Sequence, residues 1–179
     1  MPERNANLWW LLSGLGVAIA LWWYSRTQSG GEVVSEAVGA VAGAVTSTIR
    51  GIRNNNPGNI VISKTAWQGK LSPNTDGTFE QFDTMENGIR ALAITLKNYQ
   101  RLHGLNTVRG IITRWSATDQ DAYVANVASA LGVDPDDSID TSDPDTLAVI
   151  VQGIIRQENG FAGALLVSTD TLQQGISLA

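Results

Sequence analysis

The sequence has no cysteine, one histidine and few positive charges, and each shortage excludes a class of protein. Without cysteine, the chain has no disulfides, thiolate zinc sites or cysteine nucleophile. Because His103 is the only histidine, a two-histidine metal site is excluded as well. The formal net charge of -5 argues against a general nucleic-acid binder, which needs a basic surface. We therefore expect no metal, no other cofactor and no nucleic-acid partner.

A long uncharged run near the N-terminus predicts a membrane anchor. Residues 8–24 read LWWLLSGLGVAIALWWY, and a helix of that length spans about 25 Å, the short end of what crosses a bilayer. Aromatic residues stand at both ends of the run, as they do at membrane interfaces. The bulky aromatic end argues against a signal peptide, whose cleavage site follows small residues. We predict a single-pass transmembrane helix within residues 1–26.

The rest of the chain divides by composition. Residues 27–49 are rich in glycine and alanine and predict a linker or a stalk helix. A polar, turn-rich run then opens a domain over 50–165, followed by a C-terminal tail over 166–179. Within the domain, 65–71 and 78–83 have the pattern of a short β-hairpin, and helical periodicity dominates afterwards. The expected fold class is a mainly α (α+β) domain with a small β-hairpin behind the transmembrane helix.

Helix start and stop signals follow the hairpin. Asp83 or Thr84 is placed to cap a helix that ends at Gly104, and Thr107 is placed to cap a short helix that follows. Two further helices are predicted. One ends near Gly132, and the other is capped by Ser142 or Asp143, has a proline in its first turn and runs to about residue 159.

The last of these helices carries the most informative carboxylate. Glu158 lies four residues after Ile154 and seven after Val151, so it projects from the apolar stripe. A carboxyl group on such a face is poorly solvated, which disfavours its charged form and suits a general acid. Periodicity alone also fits a glutamate that emerges into solvent or pairs with an arginine. An enzyme with this residue inventory would rely on carboxylates, and glycoside cleavage needs nothing else.

Several segments resemble a family of phage virion proteins that are described as structural proteins, lytic transglycosylases or lysozyme-like peptidoglycan hydrolases. The resemblance covers roughly residues 50–163. It is carried by GIRNNNPGNI (51–60), WQG (67–69), FEQFD (79–83), ENGIRAL (86–92) and IIRQENG (154–160). It implies a lysozyme-like domain that cleaves the glycan strands of peptidoglycan during entry or lysis.

The end of the last helix is similar to a second group of enzymes. The segment 154–161 resembles the catalytic helix end of lytic transglycosylases and bacterial glucosaminidases, where a glutamate precedes a small polar residue and glycine. In those glucosaminidases the glutamate helix comes first in the chain, whereas here it comes last. The resemblance therefore implies a circularly permuted lysozyme-like arrangement with Glu158 as the catalytic residue.

These resemblances imply a mechanism at the β-1,4 bond between N-acetylmuramic acid and N-acetylglucosamine. Glu158 would protonate the bridging oxygen. If it acts alone, the muramyl 6-hydroxyl attacks and gives an anhydro product. If a second carboxylate positions water, the product is a simple hydrolysate, with Glu80 the first candidate for that role and Asp76 the next.

Glycan strands are held by amide hydrogen bonds and aromatic faces, and the chain offers candidates for both. The predicted substrate-binding residues are Arg53, Asn54, Asn55, Asn56, Asn59, Trp67, Tyr99 and Tyr123, with Trp115 a further aromatic candidate. Each aromatic residue, taken alone, fits the core better than a binding surface. Arg53 would either bind a stem-peptide carboxylate or brace its own loop.

Two other classes of function remain open from the sequence. One is a peptidoglycan-binding module without turnover, and the other is a non-catalytic structural or membrane protein of the virion. The expected partners are glycan strands, other virion proteins and a lipid bilayer, either the inner membrane of the virion or that of the host.

Overall fold

The structure, a computed structural model, describes residues 31–117 and 120–179. Helices dominate this part of the chain. They are α1 (Gly31–Thr48), α2 (Arg50–Arg53), α3 (Met85–His103), α4 (Val108–Trp115), α5 (Gln120–Leu131), α6 (Pro144–Ala164) and α7 (Thr169–Ser177).

The chain divides into two compact units, Met1–Ala44 and Val45–Ala179. The described residues of the first unit belong to α1, whose Val38 and Val41 side chains are exposed. The transmembrane helix predicted for residues 8–24 lies outside the described residues. Among the helices that the structure describes, none combines the length and the apolar character needed to cross a bilayer.

The core of the second unit is built from the apolar faces of its helices. In this unit α3 packs against α7, α5 packs against α6, and α4 contacts α5. Each fully buried aliphatic side chain contributes about 1.5–3 kcal/mol relative to an exposed one. The most deeply buried include Ile89, Leu92, Leu96, Ile111, Ile112, Leu147, Ile150, Val151, Ile154 and Ile155.

The helix boundaries follow local capping chemistry. Thr84 caps α3 by accepting a hydrogen bond from the Asn87 backbone N–H, and Gly104 ends the helix in a left-handed conformation with φ 66°. Thr107 and Asp143 cap α4 and α6 in the same way as Thr84 caps α3. The caps and the glycine stop that the sequence predicts are therefore confirmed.

The predicted α+β fold class is wrong, because the described residues contain no β-strand. The segments expected to form a hairpin meet at one isolated antiparallel bridge, Lys70 with Phe82, while Phe79 pairs with Val61, which lies before the expected first strand. Side chains take the hydrogen bonds that a ladder would need: the Phe79 N–H donates to Asp76 and the Thr75 N–H donates to Gln81. This local side-chain bonding competes with strand pairing. The fold class is therefore corrected to a mainly helical chain without strands in its described part.

The C-terminal residues, expected to form a tail, contain a packed helix. Ser168 caps α7, and Leu172 and Ile176 bury their side chains in the core. Gly175 approaches Ile89 of α3 so closely that an added Cβ would overlap its side chain. The helix α7 is thus part of the second unit and covers one side of α3.

Candidate active site

Glu158 lies where α6 breaks. The preceding turns bury Val151, Ile154 and Ile155, whereas Glu158 is half-buried. At Gly160 the backbone leaves helical geometry with φ 67° and ψ 177°, before helical turns resume to the end of α6. The break occurs where the sequence places the end of the helix, so the Glu158 carboxyl group stands beside a helix end.

Asn159 fastens this helix end to the loop of residues 53–59. Its side-chain amide donates to the Pro57 carbonyl at 2.6 Å and to the Ile155 carbonyl at 2.9 Å. The opposite side of Asn159 packs on Gly51, where an added Cβ would overlap the Asn159 side-chain oxygen. The asparagine-rich loop and the catalytic candidate on α6 are therefore held together by a buried contact.

Two side chains hold the Glu158 carboxylate. The Asn59 amide donates to Oε2 at 3.0 Å, and the Trp115 indole N–H donates to Oε1 at 3.4 Å. Asn59 has φ 51°, a left-handed conformation that asparagine tolerates better than most residues. Each carboxylate oxygen thus has one N–H donor, which fixes the orientation of the group.

The carboxylate opens onto a cleft of about 370 Å³. The rings of Tyr99 and Trp115 stand side by side in its wall, with centroids 6.5 Å apart and planes inclined at 55°. Such a combination of aromatic faces and a few polar groups is typical of small-ligand sites. The cleft is lined by Gly58, Asn59, Ile60, Val61, Phe79, Thr95, Tyr99, Trp115, Ser116, Ala117 and Glu158.

Tyr123 lies in the core and not in the cleft wall. Its side chain is 1% exposed and is absent from the cleft wall, and its hydroxyl has no hydrogen-bond partner among the described residues. Burial, and secondarily the negative charge of Glu158, raise the pKa of Tyr123. The phenol is therefore neutral beside Glu158. Because its side chain is buried in the core, we do not propose that Tyr123 contacts the substrate.

Three of the four predicted substrate-binding asparagines bond to their own chain. Asn54 donates to Asp76 at 2.8 Å, and Asn55 donates to the Phe82 carbonyl at 3.0 Å. Asn56 is fully buried and donates to the carbonyls of Ile60 and Glu80, both at 2.9 Å. Their amides shape the loop, and of the four only Asn59 lines the cleft.

Arg53 and Trp67 also lie away from the cleft wall. The Arg53 guanidinium donates to the Ser47 carbonyl at 3.1 Å and lies 3.8 Å from Asp76, so it braces the loop. Trp67 is half-buried, and its indole nitrogen is enclosed without a hydrogen-bond partner among the described residues.

Glu80 is fully buried and engaged in a separate cluster. Its Oε1 atom accepts hydrogen bonds from the Lys70 ammonium at 2.9 Å and from the Ser63 N–H at 2.9 Å. These contacts give the carboxylate a structural role. The other candidate, Asp76, accepts a hydrogen bond at Oδ1 from the Arg50 guanidinium at 2.6 Å. Neither carboxylate lines the cleft that contains Glu158.

No sequence pattern indicates the contact between Trp115 and Glu158, which are 43 residues apart. The sequence predicts Trp115 only as an aromatic surface for the glycan, whereas in the structure its indole N–H donates a hydrogen bond to the Glu158 carboxylate. Its place at the end of α4 is readable from the sequence, but its contact depends on how α4 and α6 meet. Within residues 31–117 and 120–179, no cluster of three or more His, Asp or Glu side chains is arranged to hold a metal ion.

Comparison with known proteins gives one informative relative. The chain is 34% identical over 122 residues to "Protein P5" of Pseudoalteromonas phage PM2, an alignment that covers 65% of this chain and 74% of the phage protein. No protein-family profile matches the chain. The likeness supports the expectation of a phage virion protein, and peptidoglycan cleavage stays a prediction.

Proposed function

The chain belongs to the family of Protein P5 of Pseudoalteromonas phage PM2, and on this premise we propose that it is a virion protein that cleaves peptidoglycan glycan strands. The bond would be the β-1,4 link between N-acetylmuramic acid and N-acetylglucosamine. The observation that carries the proposal is the Glu158 carboxylate, held by Asn59 and Trp115 at a cleft with aromatic walls.

In this mechanism Glu158 is the general acid. It transfers its proton to the bridging oxygen as the bond from the muramyl C1 atom to that oxygen breaks. The N–H groups of Asn59 and Trp115 then stabilise the carboxylate that remains, because preorganised donors cost no reorganisation when charge develops. Their fixed positions also keep the acid aimed into the cleft.

The carboxyl inventory of the cleft favours a transglycosylase over a hydrolase. Two-carboxylate hydrolysis needs a second group across the bond, about 5–9.5 Å from the acid. Among the described residues that line the cleft, Glu158 is the only one with a carboxyl group. The muramyl 6-hydroxyl would therefore attack C1, return its proton to Glu158 and leave a 1,6-anhydro sugar.

The aromatic side chains of the cleft suit a sugar substrate. Tyr99 and Trp115 are both half-buried and both line the cleft, so part of each ring is accessible to a ligand. Tyr, Trp and Phe rings provide large apolar surfaces against which the C–H faces of a pyranose pack. Phe79, which pairs with Val61, also lines the cleft and adds to this apolar surface.

The direct test is lysis of purified Gram-negative peptidoglycan by the full chain and its Glu158→Gln variant. We expect the wild type to release soluble muropeptides and the variant to lose at least about 100-fold of that rate, since general acids typically contribute 10²–10⁴-fold. Glu86→Gln is the matched control, because Glu86 lies in the first turn of α3 and does not line the cleft.

Thermal unfolding of all three proteins separates activity from folding. Equal melting temperatures with loss of lysis in Glu158→Gln alone support the enzyme. A well-folded wild type that binds peptidoglycan without releasing fragments contradicts it and favours a binding module. Absence of both binding and release favours a structural component of the virion.

A further inference from the structure

Arg114 stands beside the cleft and forms no ion pair with any of the described residues. The side chain is exposed, and its guanidinium lies 5.0 Å from the centroid of the Tyr99 ring, which lines the cleft. The four ion pairs among the described residues involve Arg50, Arg53, Lys70 and Arg109, and none of them includes Arg114. In a chain of net charge -5, this places a free cation next to the carboxylate cleft.

The guanidinium is held in position by two neighbours. It donates to His103 Nε2 across 3.3 Å, and the His103 ring in turn contacts Tyr99 edge to face, with centroids 6.4 Å apart. Burial raises the pKa of Tyr99, and the nearby charge of Arg114 opposes that shift. A guanidinium fixed over an aromatic ring loses less conformational freedom when it binds an anion.

A second cavity, of about 630 Å³, also has Arg114 in its wall. It is lined by Leu105, Thr107, Arg109, Gly110, Thr113 and Arg114. Arg109 is bound to Asp136 at 2.8 Å, so Arg114 is the cation available to a ligand there. Arg114 therefore connects the two cavities: it contacts a wall of the first and lines the second.

We propose that Arg114 binds a carboxylate of the peptidoglycan stem peptide while the glycan occupies the cleft. This inference rests on the proposed function. N-acetylmuramic acid carries its peptide on a lactyl group, so a muramyl ring in the cleft projects an acidic chain towards the rim. The guanidinium matches a carboxylate in a bidentate geometry, whereas Arg53, the residue that the sequence favoured for this contact, is engaged with its own loop.

The test compares two substrates and three variants of the full chain. The substrates are intact peptidoglycan and glycan strands from which an amidase has removed the stem peptides. Arg114→Gln removes the charge at similar length, Arg114→Lys retains it, and Arg101→Gln removes a charge from an exposed arginine of α3 that contacts Asn98. We expect Arg114→Gln to lower kcat/KM about 2- to 5-fold on intact peptidoglycan, the range of an exposed ion pair.

The same variant should cleave peptide-free strands at the wild-type rate, Arg114→Lys should recover part of the loss, and Arg101→Gln should match the wild type on both substrates. An equal loss on both substrates, or no loss on either, overturns the proposal.

A binding measurement tests the Arg114 subsite independently of catalytic activity. With Glu158→Gln as the parent, calorimetry compares the disaccharide tripeptide with its form in which all carboxyl groups are amidated. Tighter binding of the acid form that disappears in Glu158→Gln/Arg114→Gln supports the subsite even if the wild type proves inactive. Equal binding of the two ligands by the parent, or no binding of either, overturns it.

Discussion

The two oxygens of Glu158 accept hydrogen bonds from residues that lie 99 and 43 positions away in the chain. Helical periodicity places Glu158 on the buried face of its helix, and the structure agrees with that placement. Periodicity carries no information on Asn59 and Trp115, because their contacts depend on how a loop and α4 meet α6. Several residues of the cleft, among them Glu158, Asn59 and Tyr99, could thus be proposed from the sequence, whereas the hydrogen bonds of Asn59 and Trp115 to Glu158 could not.

The buried hydroxyl of Tyr123 leads to a prediction about stability. Its buried hydroxyl has no hydrogen-bond partner among the described residues, so Tyr123→Phe removes an unsatisfied group and leaves the packing intact. We expect the free energy of unfolding to change by no more than about 0.5 kcal/mol, or to rise. Tyr123→Ala, which leaves a cavity, should cost about 3–5 kcal/mol. Chemical denaturation measures both.

A loss of more than about 1 kcal/mol in Tyr123→Phe, the net worth of an ordinary hydrogen bond, would show that the hydroxyl has a partner after all.

The loop of residues 53–59 is the element that positions the site. Gly88 allows this loop to pack closely against α3, because an added Cβ at Gly88 would overlap the Asn55 carbonyl oxygen. The sequence identified this loop as special from its Asn, Pro and Gly content, but assigned its amides to substrate. An asparagine amide forms equivalent hydrogen bonds to a sugar and to a backbone carbonyl, so composition cannot distinguish the two uses. Burial distinguishes them for Asn54 and Asn56.

Asp76 ties this loop to the segment that follows it and makes its stability depend on pH. The Arg50 hydrogen bond, then that of Asn54 and the Phe79 N–H, hold the pKa of Asp76 well below its usual value of 3.8. A depressed pKa in the folded state contributes stability above that usual value, and the contribution is lost as pH falls through the folded pKa. We expect Asp76→Asn to lower the melting temperature at neutral pH.

The difference between wild type and Asp76→Asn should narrow as the pH falls below about 4, because Asp76 is then protonated in the unfolded chain, and at still lower pH in the folded protein as well. Asp170→Asn, a change at an exposed position in the first turn of α7, serves as the control and should shift the melting temperature less at every pH. A difference for Asp76→Asn that is constant from neutral to acid pH would contradict the ion-pair account.

At the scale of the whole molecule, the helices from α3 to α6 were predictable from the sequence, whereas the hairpin region and the helix α7 were not. The caps at Thr84, Thr107 and Asp143 and the stop at Gly104 are local events, determined by a few adjacent residues. The predicted hairpin was wrong because Asp76, Asn74 and Gln81 bond to the backbone groups that would otherwise have formed a ladder. The helix α7 was missed because its burial depends on a face of α3 that is distant in sequence.

The central claim is that Glu158 acts as the sole carboxylate of a transglycosylase, and cleavage of peptidoglycan in heavy-oxygen water followed by mass spectrometry tests it most directly. The account predicts products that end in 1,6-anhydromuramic acid and contain no heavy oxygen, because an intramolecular hydroxyl, and not water, attacks C1. Reducing ends that carry heavy oxygen would show that water is the nucleophile and would contradict the single-carboxylate mechanism.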